Sequence, residues 1–134
     1  MEGEYRLKRP ARVQHWARVR VVVARAPSWR VLVSPGACLW LAESYGPSAV
    51  TDVPDDFKAA AESGATLALT LAQISEPLAV TVTRIDFTHA DTTPDDVKAA
   101  TFHAVFQAIG RVPASPPYID ADGIHFPSAA DPSP

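Results

Sequence analysis

The sequence predicts an α+β domain, a two-layer sandwich in which a mainly antiparallel sheet of about four strands carries two helices on one face. Residues 15–34 and 78–87 contain β-branched and polar side chains in alternation, as half-buried strands do. Two other segments place apolar residues at helical spacing, and each begins with a proline that suits the first turn of a helix. Together these patterns favour one sheet with helices packed against it.

Length and composition exclude several classes of protein. The 134 residues suffice for one hydrophobic core but not for two independent domains, and 47% hydrophobic residues with a net charge of -3 are typical of soluble globular proteins. Every apolar run is shorter than the ~20 residues of a membrane helix, and the N-terminus lacks a signal-peptide pattern, so we expect a cytoplasmic protein without membrane contact. Cys38 is the single cysteine, which excludes an intramolecular disulfide and a thiolate metal cage.

Charge and proline content divide the chain into three predicted segments. These are a basic N-terminal arm of residues 1–12, a domain of residues 13–112, and a Pro-rich C-terminal tail of residues 113–134. Residues 1–30 carry eight Lys or Arg against two Glu, a net charge of +6, whereas the other 104 residues carry four basic and thirteen acidic groups, a net charge of -9. Such an asymmetry can steer a polyanion to one surface.

The first predicted strand runs over 15–25 and has two distinct faces. Its alternation puts Trp16, Arg18 and Arg20 on one face and a row of valines on the other, so we expect the valines to face the core. The turn-forming residues 26–28 predict a hairpin to a second strand over 29–34, and residues 37–43 are interpreted as a third strand. A loop over 44–53 then leads to the helical layer.

Both helices are predicted from their first turns. Pro54 followed by two aspartates begins the first helix, because its fixed φ suits that position and carboxylates favour the positive end of the helix dipole. A strand over 78–87 separates it from the second helix, where Thr93 is the expected N-cap and Asp96 completes a capping box. Gly110 ends that helix.

The order of these signals resembles the fourth domain of translation elongation factor G and of the related ribosomal-protection proteins. Val53-Pro54-Asp-Asp-Phe-Lys-Ala-Ala-Ala-Glu-Ser-Gly64 matches the family's Ile-Pro-x-Glu-Tyr-x-x-Ala-Val-x-x-Gly without a gap. Trp16-Ala-Arg-Val19 corresponds to the start of a family strand, and Asp91-Thr92-Thr93 stands for a family Asp-Ser-Ser. The resemblance spans roughly residues 14–110 by motif counting. It implies a fold like the second domain of a ribosomal protein, with a left-handed βαβ crossover.

The sequence also departs from that family. The Gly-rich tip loop that precedes the first strand is replaced by Arg9-Pro-Ala-Arg12-Val-Gln-His15, and the Gly-Gly before the first helix is missing. No phosphate-binding Gly-x-x-x-x-Gly-Lys-Ser/Thr motif is present, so the chain cannot hydrolyse GTP by the factor's mechanism.

Two groups of residues are candidates for contact with RNA or the ribosome. One combines aromatic stacking surface with positive charge on the first strand and before it: Arg12, His15, Trp16, Arg18 and Arg20. The other is the loop before the second helix, which the resemblance puts at the domain tip near tRNA and mRNA: His89, Asp91, Thr92 and Thr93. The alternatives are a solvated sheet face whose arginines pair with carboxylates, and a loop that only caps a helix.

The leading functional hypothesis is a non-enzymatic, translation-factor-like module that binds the ribosome or structured RNA. The alternative is a protein-interaction module without RNA binding, which holds a partner protein or forms a homodimer through the open sheet face. Four histidines lie far apart and none has the spacing of a metal site or a catalytic motif, so we predict no enzyme activity, no metal and no cofactor.

Overall fold

The structure, a computed structural model, describes residues 1–9 and 15–128. These described residues form six strands and three helices in the order β1 (Glu2–Arg9), β2 (His15–Arg25), β3 (Arg30–Val33), α1 (Trp40–Tyr45), α2 (Asp55–Ala72), β4 (Leu78–Asp86), α3 (Pro94–Ala108), β5 (Tyr118–Asp120) and β6 (Gly123–His125). None of the helices in the described part is both long and apolar enough to cross a membrane.

The main sheet has the strand order β1-β2-β4-β3. β2 is antiparallel to both of its neighbours, β1 and β4, whereas β3 runs parallel to β4. α2 and α3 pack on one face of this sheet, and β5 and β6 form a separate hairpin. The predicted α+β sandwich with a mainly antiparallel four-stranded sheet is therefore confirmed, while the hand of the crossover stays a prediction.

The first residues belong to the sheet, unlike the arm expected over 1–12. In β1, Gly3, Tyr5 and Leu7 turn toward α3, while the intervening charged residues turn away. A Cβ on Gly3 would overlap the carbonyl oxygen of Ala104, so β1 approaches α3 too closely for any larger residue at this position. Sequence reasoning missed this strand because residues 1–12 are polar and basic and are interrupted by Pro10, which favoured an arm. The domain boundaries themselves stay predictions.

The predicted hairpin between 15–25 and 29–34 is wrong. β3 pairs with β4 rather than with β2, because β1 and β4 occupy both edges of β2. The turn after β2 instead keeps the chain beside the start of β4, where the Ala26 N–H donates to the Pro77 carbonyl at 3.2 Å. A local turn signal predicts a reversal of the chain but does not specify which strand pairs with which.

The third strand expected over 37–43 is also wrong, because these residues form turns and the start of α1. Cys38 and Leu41 are buried, and the Trp40 indole N–H donates to the Ile85 carbonyl at 2.6 Å. The Ile85 N–H in turn donates to the Ala37 carbonyl at 3.0 Å. A short apolar run does not distinguish strand from helix, and here hydrogen bonds to the end of β4 decide the outcome.

Both long helices are confirmed, with starts within one residue of those predicted. Pro54 is the residue before α2, and α3 begins with the predicted capping box: Thr93 Oγ1 accepts from the Asp96 N–H, and Asp96 Oδ2 accepts from the Thr93 N–H. A Cβ on Gly64 would overlap the Lys98 carbonyl oxygen, so the two helices meet backbone to backbone there. The valine face of β2 is fully buried beneath them, as predicted.

The described part of the Pro-rich tail docks on the domain. Ile119, Ile124 and Phe126 are half-buried against the core, and Lys98 Nζ lies 4.2 Å from the centre of the Phe126 ring. His125 Nε2 and Asp120 Oδ1 are 2.8 Å apart across the small hairpin. Hydrogen bonds from this imidazole and from backbone N–H groups lower the pKa of the Asp120 carboxyl.

Candidate nucleic-acid interface

The sheet face opposite α2 and α3, here called the open face, gathers most of the charged residues of the N-terminal third. Strand register and alternation put on this face Glu2, Glu4, Arg6 and Lys8 of β1, Trp16, Arg18, Arg20 and Val22 of β2, Thr81, Arg84 and Asp86 of β4, and Arg30 and Leu32 of β3. No described helix covers it. The predicted two-faced character of β2 is confirmed.

Two of the predicted RNA-contact arginines are engaged in ion pairs on the open face. Arg18 contacts Asp86 at 2.6 and 2.7 Å and Glu4 at 3.4 Å, and Arg20 contacts Glu4 at 3.0 and 3.1 Å. Arg84 donates to the other oxygen of Asp86 at 2.7 Å. The open face therefore contains arginine–carboxylate pairs, which were the predicted alternative to RNA contact.

These pairs are not equivalent. The Asp86 side chain is only 5% exposed and is held by two guanidinium groups, so removal of either would leave a poorly solvated carboxylate. Glu4 is 37% exposed and Arg20 is 47% exposed, and such surface pairs stabilise a protein by only ~0–1 kcal/mol. A phosphate could replace Glu4 as the partner of Arg20 with little loss of stability. Arg18 is instead required to neutralise Asp86.

Three cations of the open face have no ion-pair partner among residues 1–9 and 15–128, namely Arg6 and Lys8 of β1 and Arg30 of β3. Arg6 and Lys8 are exposed on β1 and lie opposite Arg18 and Trp16 of β2. With Arg20 they make the β1–β2 half of the open face the more positive half. Sequence reasoning missed Arg6 and Lys8 because it assigned them to an arm; the alternation of Gly3, Tyr5 and Leu7 with charged residues was the available signal.

His15 does not lie on the open face with its neighbours. It is nine-tenths buried, and its Nδ1 lies 2.6 Å from Asp96 Oδ1, while the other oxygen of Asp96 serves the capping box of α3. The imidazole thus ties the start of β2 to the first turn of α3. Arg12, the remaining candidate of this group, lies outside the described residues.

The second predicted group surrounds the turn between β4 and α3. His89 is exposed, with its ring edge-on to Phe87 at 5.3 Å. The Thr92 hydroxyl donates to the Trp16 carbonyl at 2.6 Å and accepts from the Thr88 N–H at 3.0 Å. These bonds hold the loop against the start of β2. The structure therefore brings Trp16 and the His89 loop to the same end of the sheet.

Two further groups of this loop, the Asp91 backbone N–H and the Thr93 side chain, have partners of their own. The Asp91 N–H donates to Thr88 Oγ1 at 3.2 Å, and Thr93 is occupied by the capping box with Asp96. The N-terminus of α3 is thus already capped by a side chain, which leaves fewer N–H groups for a phosphate. His89 is the side chain of this group that is most available to a ligand.

The described part of the chain contains no group of three or more His, Cys, Asp or Glu side chains that could hold a metal ion. The buried Cys38 lies near Asp86, and burial, followed by the charge of that carboxylate, raises the pKa of the thiol to about 11. The thiol therefore stays protonated at neutral pH and is a poor nucleophile.

Comparison with known proteins identifies the fold alone. The protein ttk003000868 of Thermus thermophilus is similar in structure, with a TM-score of 0.58 over 79% of this chain and 13% sequence identity. The matched region spans 15% of the length of that protein. No family model matches the sequence. No curated protein matches it either.

Proposed function

We propose that this domain is a non-enzymatic, cytoplasmic module that binds the ribosome or structured RNA through the β1–β2 half of its open face. The proposal is carried by one observation: Arg6 and Lys8 are exposed and unpaired in the described residues, beside Trp16 and beside Arg20, whose ion pair with Glu4 is exposed to solvent. No described helix covers this face of the sheet. Phosphate groups pair with such cations, and unstacked bases stack on an aromatic side chain. This face therefore offers both elements of single-strand or loop recognition.

The resemblance to the fourth domain of elongation factor G supports the same proposal. It rests on the first turn of α2 and on the Asp91-Thr92-Thr93 loop, and the resemblance implies that this loop approaches RNA. The Thr92 hydroxyl donates a hydrogen bond to the Trp16 carbonyl, so the loop lies next to the β1–β2 half of the open face. One ligand could therefore contact both. Under this proposal Arg18 and His15 position neighbouring groups and do not contact RNA.

The experiment is a salt titration of binding to purified ribosomes and to a labelled structured RNA. Neutralised phosphates make log K fall linearly with log salt concentration. Replacing Arg6 and Lys8 together by alanine should weaken binding and reduce the salt slope by about two, one for each lost phosphate contact. Arg25→Ala with Lys58→Ala is the matched control, because both residues are exposed and neither lies on the β1–β2 half of the open face.

Two results would remove the RNA proposal: no binding at low salt, or a salt slope that is the same in the Arg6/Lys8 variant and in wild type. The second candidate function, a protein-interaction module that holds a partner or a second copy, is favoured by the arginine–carboxylate pairs at the centre of the open face. Those pairs set three arginines against two carboxylates, a net charge of +1, so most of the positive charge at its centre is neutralised. Dimerisation without RNA binding, abolished by changes on the open face, would support that candidate.

A further inference from the structure

The two margins of the main sheet differ in how they are covered. At the β1 margin, the outward-pointing Glu4 N–H donates to Gln107 Oε1 of α3 at 2.6 Å, and Gly3 lies directly against Ala104. At the other margin, β3 has β4 as its single strand neighbour. Within residues 1–9 and 15–128, α3 therefore covers part of the β1 edge, whereas no strand pairs with the outer edge of β3.

The register of β3 identifies the backbone groups at that uncovered edge. The Ser34 N–H donates to the Val82 carbonyl at 2.9 Å, and in a parallel ladder alternate residues bond to the same neighbour. Arg30 and Leu32 therefore bond to β4, while the N–H and C=O groups of Val31 and Val33 point away from it. Within the described part of the chain these groups have no strand partner, and an edge of this kind is a template for another strand.

An apolar groove of about 540 Å³ runs beside this edge, between β3 and α2. Its lining residues are Trp29, Arg30, Val31, Thr66, Leu69, Thr70, Gln73 and Ile74. The hydroxyls of Thr66 and Thr70 donate to carbonyls of their own helix at 2.8 Å, so these two donors on the α2 wall are already used. Trp29 and Leu32 leave nearly half of their surface exposed at the same margin, 46% and 48% respectively. This concentration of exposed apolar surface is a signature of an interaction site.

The charge of the groove specifies what it would accept. Arg30 is the one charged residue that lines it, and the guanidinium is exposed and has no carboxylate partner among the described residues. An occupant with apolar side chains toward α2 and a carboxylate near Arg30 would satisfy both features. A strand placed beside β3 has this arrangement, because alternate side chains point to opposite faces of the sheet.

We propose that the β3 edge and the β3–α2 groove bind an extended, acidic and apolar peptide segment of a partner protein as a fifth strand. The segment bonds to the outward backbone groups of Val31 and Val33, inserts apolar side chains toward Leu69 and Ile74, and pairs a carboxylate with Arg30. Main-chain bonds supply affinity and the pockets supply specificity in this mode of recognition. The surface is at the opposite margin from Arg6 and Lys8, so it is independent of the proposed RNA function.

The test uses the full chain and a synthetic hexapeptide, acetyl-Thr-Val-Glu-Leu-Thr-Val-amide, with a second peptide in which Lys replaces Glu. Amide chemical shifts should change for residues 29–33 and 66–74, with the Glu peptide bound in preference to the Lys peptide. Arg30→Glu should reverse that preference, and each like-charge combination should bind about tenfold more weakly or worse. Arg25→Glu, an exposed change of equal charge outside the groove, should leave the preference unchanged.

Val33→Pro supplies a second test that acts on the backbone. It removes one outward N–H but no bond to β4, a position where an edge strand tolerates proline. The variant should keep the wild-type circular dichroism spectrum and lose peptide binding. The proposal is overturned if neither peptide produces saturable shifts in wild type, or if charge reversal at Arg30 has no effect. Slowed exchange of the Val31 and Val33 amides in a concentration-dependent dimer without peptide would assign the edge to a second copy and would also overturn it.

Discussion

The close approach of α2 and α3 predicts a large effect for a small substitution, Gly64→Ala. Gly64 is buried, and a Cβ built on it overlaps the Lys98 carbonyl oxygen and lies 3.1 Å from the Lys98 carbonyl carbon, where 3.4 Å is the lower limit of ordinary contact. Both atoms belong to the backbone of α3, so no side-chain rotation relieves the overlap. The helices must separate.

The magnitude follows from one stabilising term and two destabilising terms. Alanine is favoured over glycine in a helix interior by ~0.5–1 kcal/mol, which by itself would stabilise the protein. Overpacking of a tight interface costs ~1–3 kcal/mol, and here the upper end applies because rigid backbone is displaced. A separation on the order of 1 Å also forfeits up to about half of each dispersion contact along the two helices. We therefore expect a net loss of about 2 kcal/mol in the free energy of unfolding.

Urea denaturation followed by circular dichroism measures this loss, and thermal denaturation should show a Tm lower by roughly 6–12 °C for a chain of this length. Ser63→Ala is the matched control, because Ser63 is the exposed neighbour of Gly64 on the same helix and the change gains helix propensity without a clash. It should leave the midpoint unchanged or slightly raised. A Gly64→Ala midpoint equal to or above that of wild type would refute the close contact between the two helices.

Two further predictions concern a half-buried and a buried titratable group, His103 and Cys38. His103 stacks on Tyr5 at 4.2 Å, and burial lowers the pKa of its imidazole, so unfolding becomes easier as the pH falls below the unfolded-state value of about 6.5. In the His103→Gln variant, the urea midpoint should fall less between pH 8 and pH 5 than it does in wild type. The same fall in both proteins would contradict this. The Cys38 thiol, whose pKa is raised to about 11, should react with a disulfide reagent at pH 8 only after denaturation, and fast labelling of the native protein would contradict its burial.

The elements that the sequence predicts well are those specified by residues close together in the chain. The start of α3 depends on Thr93 and Asp96, three residues apart, and the start of α2 depends on Pro54 and the two aspartates that follow. The inward and outward faces of β2 likewise follow from strict alternation within eleven residues. Local chemistry is sufficient in each case, so a single sequence contains the necessary information.

The features that the sequence does not predict depend on pairing between distant segments. β3 pairs with β4 across the whole of α1 and α2, and nothing in the four residues of β3 specifies that partner. The ion pair between Arg18 and Asp86 joins residues 68 positions apart, and it exists because the register sets them opposite each other. The same holds for His15, whose burial follows from the position of Asp96 at the start of a helix 81 positions away.

The long-range ion pairs, which the sequence does not reveal, also determine which substitutions can test the function of the open face. The pair of arginines that the sequence singles out, Arg18 and Arg20, is a poor choice, because Arg18→Ala would leave the nearly buried Asp86 with a single guanidinium partner and lower stability along with any binding. Arg6 and Lys8 have no such partner in the described part of the chain. A loss of RNA binding on their removal can therefore be attributed to lost contacts rather than to a weakened fold.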